Sequence, residues 1–410
     1  MTQLHRTALV ALLVALLGTG PLSQAANRAK HEGAATSPPA PAAAAQSTAP
    51  LPAGTPVPAS PQIAGTAWFL MDMDSGQVLA ESNADARLEP ASLTKILTAH
   101  VVFRALKEGR VKLDDQVLVS EKAWRTEGSR TFVDVNARVP LEVLLKGLIV
   151  QSGNDAAVAL AEHVAGSEET FAKLMNEDAR RMGMTSSHFV NSTGLPDPEH
   201  YTTARDLAKA SEATIREFPE YYPWYAIKEF VHNNIKQTNR NLLLWRDESV
   251  DGVKTGHTKT AGYCLVASAK RDGMRLVGVV MGTKGEKVRA TEMLNLLNYG
   301  FRFYEAHRVN AAGETLAKVR AWKGDPREVA LGVAQDLTVT VPRNQKDGIS
   351  TRMEIAPRVV APVAKGQALG KVVVERKGQV LREAPLVALE EVPLAGWVRR
   401  LIDTILLWFQ

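Results

Sequence analysis

Residues 89–100 read EPASLTKILTAH, an otherwise largely apolar helical run in which a lysine follows a serine by three positions. Positions i and i+3 share a helix face, so a helix beginning near Ser92 brings its hydroxyl beside the amine of Lys95, a nucleophile next to a base. Taken alone, the pair reads more simply as a capping serine and a lysine whose head snorkels to water. The choice rests on what else the chain places with it.

Upstream, TAWFLMDMDSGQVLAES (66–82) is two strand-like runs joined across a DSG turn. Downstream, SLTKILTAHVVFRALKEG, PLEVLLKGLIVQ, DAAVALAEHVAG and TFAKLMNEDARRMG carry apolar residues at three and four spacing and predict helices. CLVASAKRDGMRLVGVVMG then predicts two strands about a turn at Arg271 to Gly273, and EMLNLLNYGFRFYEAH a return to helix. Strands at both ends of a helical middle predict one sheet covered by helices, an α/β or α+β layer architecture. Over residues 307–392 short Val-rich runs separated by turn signals predict a small all-β domain.

With 410 residues, 45% hydrophobic and 23% charged, the chain has room for two globular domains. Residues 1–25 place Arg6 ahead of an apolar run, Ala8 to Leu17, and small residues at Ser23 and Ala25. That is the pattern of a cleavable secretory signal, too short to span a membrane. Residues 26–62, rich in Pro and Ala, read as a disordered linker. Residues 393–410 put Leu394, Trp397, Val398, Leu401, Ile405 and Trp408 on one helix face, with Arg399, Arg400, Asp403 and Thr404 largely on the other. Such an amphipathic helix fits the interface of a membrane; packing on the β domain or docking on a partner protein are the alternatives. A net charge of +5 without a basic run interleaved with aromatics excludes a nucleic-acid footprint. The single cysteine, Cys264, excludes an intrachain disulfide and reads as a buried inert thiol. Nothing groups Cys and His as a metal site, and no cofactor is implied.

Two more polar islands interrupt apolar runs. LIVQSGNDAAVAL holds Ser152, Gly153 and Asn154, which alone are ordinary capping residues. VDGVKTGHTKTAGYCLV places Lys254, Thr255, Gly256 and His257 at the start of a strand. A strand-edge lysine is usually a solvated guard against aggregation, but Gly256 lets another backbone come close, which a guard does not require. Ser-x-x-Lys, Ser-x-Asn and Lys-Thr-Gly occur once each, in that order, on a helix start, a helix-to-helix loop and a strand. This trio is the signature of active-site serine penicillin-recognising enzymes.

With these motifs, and with FLMDMDSGQVLAESNADARLEPASLTKILTAHVV, HFVNSTGLPDPEHYTTARDLA, QTNRNLLLW and NYGFRFYEAH, the chain from Ala67 onward resembles the low-molecular-mass penicillin-binding proteins that act as D-alanyl-D-alanine carboxypeptidases. The resemblance implies a β-lactamase/transpeptidase-like catalytic domain over 63–306, followed by the all-β domain and the terminal amphipathic helix. It implies peptidoglycan stem peptides as substrates and β-lactam antibiotics as acylating inhibitors. It also implies an exported, periplasmic enzyme attached peripherally to the inner membrane through that helix.

Residue by residue, the resemblance implies Ser92 as nucleophile and Lys95 as its base. Ser152 would relay a proton to the leaving amine, and Asn154 would hold Lys95 or the substrate amide. Lys254, Thr255 and Arg289 would read the terminal carboxylate, and backbone N–H groups of Ser92 and His257 would bind the developing oxyanion. Arg289 is placed by counting through the looser stretch MGTKGEKVRATEM. Lys95 can serve as base only when neutral, which burial against Leu93, Ile96 and Leu97 and the charge of Lys254 would favour. A class A β-lactamase shares the trio but deacylates through a glutamate, for which Glu199 is the only candidate, and Gly153 stands where those enzymes usually have Asp. A DD-endopeptidase would use the same residues on cross-linked peptides. An idle wall-binding scaffold would have no reason to keep the buried lysine.

Overall fold

The computed structural model describes residues 56–408; the predicted secretory signal and most of the predicted linker lie outside the described residues. The alternation of TAWFLMD builds β1 (Ala67–Asp72), which pairs with β2 (Val78–Ser82) on one side. On its other side it pairs with strands from far along the chain, β7 (Val250–Thr258), β8 (Gly262–Arg271) and β9 (Met274–Thr283), in the order β2-β1-β9-β8-β7. Every pairing is antiparallel, so the layer architecture is α+β. Phe69 and Met71 point to one core, and Trp68 and Leu70 to another. Both faces are therefore covered.

One face is covered by α8 (Glu286–Phe303) through Met293, Leu296 and Leu297, with Leu243 and Leu244 of α7 (Leu243–Arg246) beside it. The other carries the helices inserted between β2 and β7: α1 (Lys95–Lys107), α2 (Glu121–Arg125), α3 (Leu141–Lys146), α4 (Asn154–Ala165), α5 (Glu168–Arg181) and α6 (Ala204–Glu217). Two short hairpins, β3–β4 (Gln116–Leu118, Arg138–Pro140) and β5–β6 (Glu229–His232, Ile235–Thr238), complete this part. The end strand β7 lies against the 3-10 turn Ala91–Thr94 that opens α1. A Cβ at Gly256 would sit 3.0 Å from the Pro90 carbonyl oxygen and 3.2 Å from the Leu93 nitrogen. The glycine after Lys-Thr thus serves a close backbone approach.

The residues YEAH, predicted to continue a helix, are instead the start of a strand. Helix α8 stops at Phe303 and the chain enters β10 (Tyr304–Asn310), where Tyr304 pairs with Pro342 and His307 with Val339 of β13 (Leu337–Pro342). The ladder to β13, not local periodicity, sets this boundary. The remaining strands, β11 (Ala317–Trp322), β12 (Glu328–Gly332), β14 (Ile349–Ile355), β15 (Val359–Val360), β16 (Ala368–Arg376) and β17 (Gln379–Ala388), form a sheet in the order β14-β16-β17-β12-β11-β15. Its core holds Val329, Leu331, Val372, Val374 and Leu386. Ser75 Oγ and Thr340 Oγ1 lie 2.6 Å apart, and Arg382 donates to the carbonyls of Asp74 and Thr338, which ties the β1–β2 turn to this sheet. Residues from the end of the predicted linker also pack on the fold: Val57 lies against the α8 core, and Tyr299 Oη donates to the Pro58 carbonyl at 3.0 Å.

The last helix, α9 (Trp397–Leu407), sits with its polar side inward. Asp403 is buried and accepts from Arg320 Nη2 at 3.1 Å and from the Lys323 backbone N–H at 2.7 Å. Trp397, Leu401, Ile405 and Trp408 are exposed, Trp408 to 81%. Among the described residues no helix is long and apolar enough to cross a membrane.

Candidate active site

Three elements converge on a cleft of about 560 Å³: the Ala91–Thr94 turn, the loop before α4, and β7. Lys95, the first residue of α1, is 1% exposed, and its Nζ lies 2.9 Å from Ser92 Oγ, 2.7 Å from Asn154 Oδ1 and 2.6 Å from the Thr193 carbonyl oxygen. The Asn154 amide nitrogen donates to the Glu127 carbonyl, which leaves its oxygen for Lys95. Two of the three partners of the amine can therefore only accept. When Lys95 loses a proton, the lone pair must face Ser92 Oγ.

Burial pushes the Lys95 amine down to about 7, with the charge of Arg240 as the next cause. The sequence assigned that second contribution to Lys254. The cause is instead Arg240, which lines the cleft, while Lys254 is itself held well below the usual lysine range by burial and then by Lys95.

Ser152 follows a π-helical turn, Gly147–Gln151, and adopts φ 69°, in the left-handed region. This reversal puts a buried hydroxyl at the cleft that has no hydrogen-bond partner among the described residues. At Gly153 a Cβ would lie 2.0 Å from Thr131 Oγ1, so the aspartate usual in β-lactamases has no room here. The neighbouring Asp155 carboxylate accepts the N–H groups of Thr131 and Phe132 at 2.8 and 2.9 Å. It thereby holds the loop that brings Gly128 and Ser129 to the cleft wall.

On the opposite wall, Lys254 is buried and its Nζ donates to the Thr255 carbonyl at 3.1 Å. Thr255 and His257 line the cleft, and the exposed His257 ring lies against Tyr263 with ring centroids 4.0 Å apart. Arg289, counted from sequence through a loose stretch, does reach this wall. It is 4% exposed and donates to the Gly256 carbonyl at 3.1 Å and to Glu286 Oε1 at 3.1 Å. Among the described residues Glu286 is the only acidic one lining the cleft; Glu199 is exposed and does not line it.

Two participants escaped the sequence reading. Thr193 acts through its carbonyl, so its side chain carries no signal. Arg240 lies in the conspicuous stretch QTNRNLLLW, but only the fold brings its charge near Lys95, Lys254 and Arg289.

Residues 55–285 match the D-alanyl-D-alanine carboxypeptidase family of peptidases, and residues 304–394 match the C-terminal domain of penicillin-binding protein 5. The chain is 43% identical over 358 residues to the D-alanyl-D-alanine carboxypeptidase DacC of Escherichia coli (strain K12), covering 85% of this chain and 90% of that one. It is 40% identical over 363 residues to DacA of the same organism, covering 87% and 90%. The crystal structure of penicillin-binding protein 5 from Haemophilus influenzae superposes with a TM-score of 0.75 at 42% identity, over 81% of this chain and 98% of that one. The DD-transpeptidase of Streptomyces K15 superposes with a TM-score of 0.56 at 29% identity, over 59% of this chain and 98% of that one.

Proposed function

We infer the reaction from the family to which this chain belongs, the D-alanyl-D-alanine carboxypeptidases: the protein removes the terminal D-alanine from peptidoglycan stem pentapeptides through an acyl-enzyme on Ser92. The observation that carries this reading is the hydrogen-bond set of Lys95, which aims the lone pair of a neutral, buried amine at Ser92 Oγ. The lowered pKa makes that neutral form available near pH 7.

Ser92 Oγ attacks the scissile carbonyl as its proton passes to Lys95 Nζ. The backbone N–H groups of Ser92 and His257 bind the resulting oxyanion; the close approach of β7 to the Ser92 turn at Gly256 supports this pairing. Collapse breaks the C–N bond, and the proton travels through the unpartnered Ser152 hydroxyl to the departing D-alanine amine. Water then attacks the ester, leaving a carboxylate on the shortened peptide and a free Ser92. Thr255 and Arg289, with Lys254 behind them, read the terminal carboxylate; the guanidinium fork suits that group. Penicillin, an acylating mimic of the dipeptide, is held as a slow ester.

The test is intact-protein mass after benzylpenicillin, run beside Ser92→Ala, with an assay for D-alanine released from diacetyl-Lys-D-Ala-D-Ala. A stable adduct lost in the variant, together with D-alanine release, supports the carboxypeptidase. Rapid penicillin turnover without D-alanine release replaces it with a β-lactamase.

The inward polar side and outward apolar side of α9 support attachment to a membrane surface, and the secretory pattern of the sequence supports an exported, periplasmic enzyme. Removing residues 394–410 should leave peptidase activity in solution while sedimentation with membranes is lost. Continued sedimentation would remove the anchor.

A further inference from the structure

The reaction as written leaves unused a buried imidazole directly behind the nucleophile turn. His200 is 2% exposed and packs edge-on against Phe189. The Val190 backbone N–H, which can only donate, meets His200 Nδ1 at 3.2 Å. The ring proton therefore resides on Nε2, which faces Thr94 Oγ1 at 2.8 Å. Thr94 Oγ1 in turn donates to the Ala91 carbonyl at 2.8 Å. Every proton in this relay has one direction. Burial holds the imidazole neutral, down to about 4, with Asp197, His188, Lys95 and Glu168 as the charged or titratable groups around it.

The carbonyl at the end of the relay is unusual in two ways. Ala91 has φ 49°, in the left-handed region that an L residue with a side chain adopts only at an energetic cost. Gly194 also packs on it so closely that a Cβ there would lie 1.8 Å from the Ala91 oxygen. The Ala91 carbonyl and the Ser92 N–H belong to the same peptide plane, which is rigid. Fixing one fixes the other.

We infer that His200 and Thr94 are positioning residues for the oxyanion donor: by holding the Ala91 carbonyl they aim the Ser92 N–H at the oxygen of the scissile bond. The inference rests on Ser92 being the nucleophile, as proposed above. Neither side chain lines the cleft, so both act on the rate of acylation rather than on binding.

The experiment measures kcat and KM for D-alanine release, the rate of acylation by benzylpenicillin, and the thermal midpoint, for wild type, Thr94→Val, Thr94→Ser and His200→Gln. Thr94→Val keeps the shape but removes the hydroxyl, so kcat and acylation should fall about 10²-fold with KM within about twofold. Thr94→Ser restores the hydroxyl and should recover to within about threefold of wild type. His200→Gln leaves the Thr94–Ala91 bond in place and should lower kcat by a smaller factor, about tenfold, again at constant KM; it carries the test if Thr94→Val does not fold. A variant that melts earlier yet turns over like wild type well below its midpoint would overturn the inference and leave only a structural role. A wild type that neither forms the penicillin adduct nor releases D-alanine would remove the proposed function first, and the positioning role with it.

Discussion

The two walls of the cleft are built to different states of completion. Around Ser92 and Lys95 the reacting groups have partners: the amine reaches three oxygens, and the peptide before the serine is clamped from two sides. Across the cleft the Arg289 fork is shared between a backbone carbonyl and a half-exposed Glu286. A cation-rich wall with a replaceable carboxylate suits an anionic ligand that completes it on binding. On the proposed mechanism the wall of Ser92 and Lys95 is assembled before substrate arrives, and the wall of Arg289 is finished by it.

That contrast breaks most visibly at Lys95. Lys95→Arg keeps the charge but cannot act as a base, so D-alanine release should fall about 10³-fold or more, measured as kcat at pH 8. If activity survives, the pre-assembled wall is not where the proton goes.

The same wall predicts the acid limb of kcat/KM. As the proposed base Lys95 works as the neutral amine, and its pKa is lowered to about 7, so activity should rise through pH 7 and lose about tenfold per unit below it, about 10²-fold at pH 5. A limb near 4 would assign the titration to another group, and none at all would separate the base from Lys95.

On the recognition wall the effects should be smaller and should appear in binding. Arg289→Gln should lower kcat/KM by about 30-fold, chiefly through KM, and leave a substrate with an amidated C-terminus nearly unaffected. An equal loss on both substrates would mean that Arg289 shapes the cleft rather than reading a carboxylate. Glu286→Gln removes the competitor at Arg289 and should lower KM about threefold without changing kcat, as the release of a partly exposed ion pair predicts.

Much of this was readable in advance. A sheet covered by helices followed from strands at both ends of a helical middle, though the choice of α+β over α/β waited for the antiparallel pairings. The small β domain followed from its Val-rich runs, and the family from three short motifs in order. The local pattern failed at YEAH, where long-range pairing of Tyr304 with Pro342 overrides the helix period. Nor does composition announce that Val57, within the Pro/Ala stretch, packs against the α8 core.

At the site, Ser92, Lys95, Ser152, Asn154 and Lys254 were legible because their side chains interrupt apolar runs, and a misplaced polar group is visible in one dimension. The direction of the Lys95 lone pair was not, because it depends on the Thr193 carbonyl, and any residue supplies a carbonyl. Nor was the aim of the Ser92 N–H, which depends on Ala91, Thr94, Gly194 and His200 meeting across 109 positions of chain, from 91 to 200. The sequence by itself determined which chemical groups are present and on which elements they ride. Only the tertiary structure decided which of them are dry, which are paired and which way each proton points, because burial and hydrogen-bond direction arise from neighbours that the chain brings together only when folded.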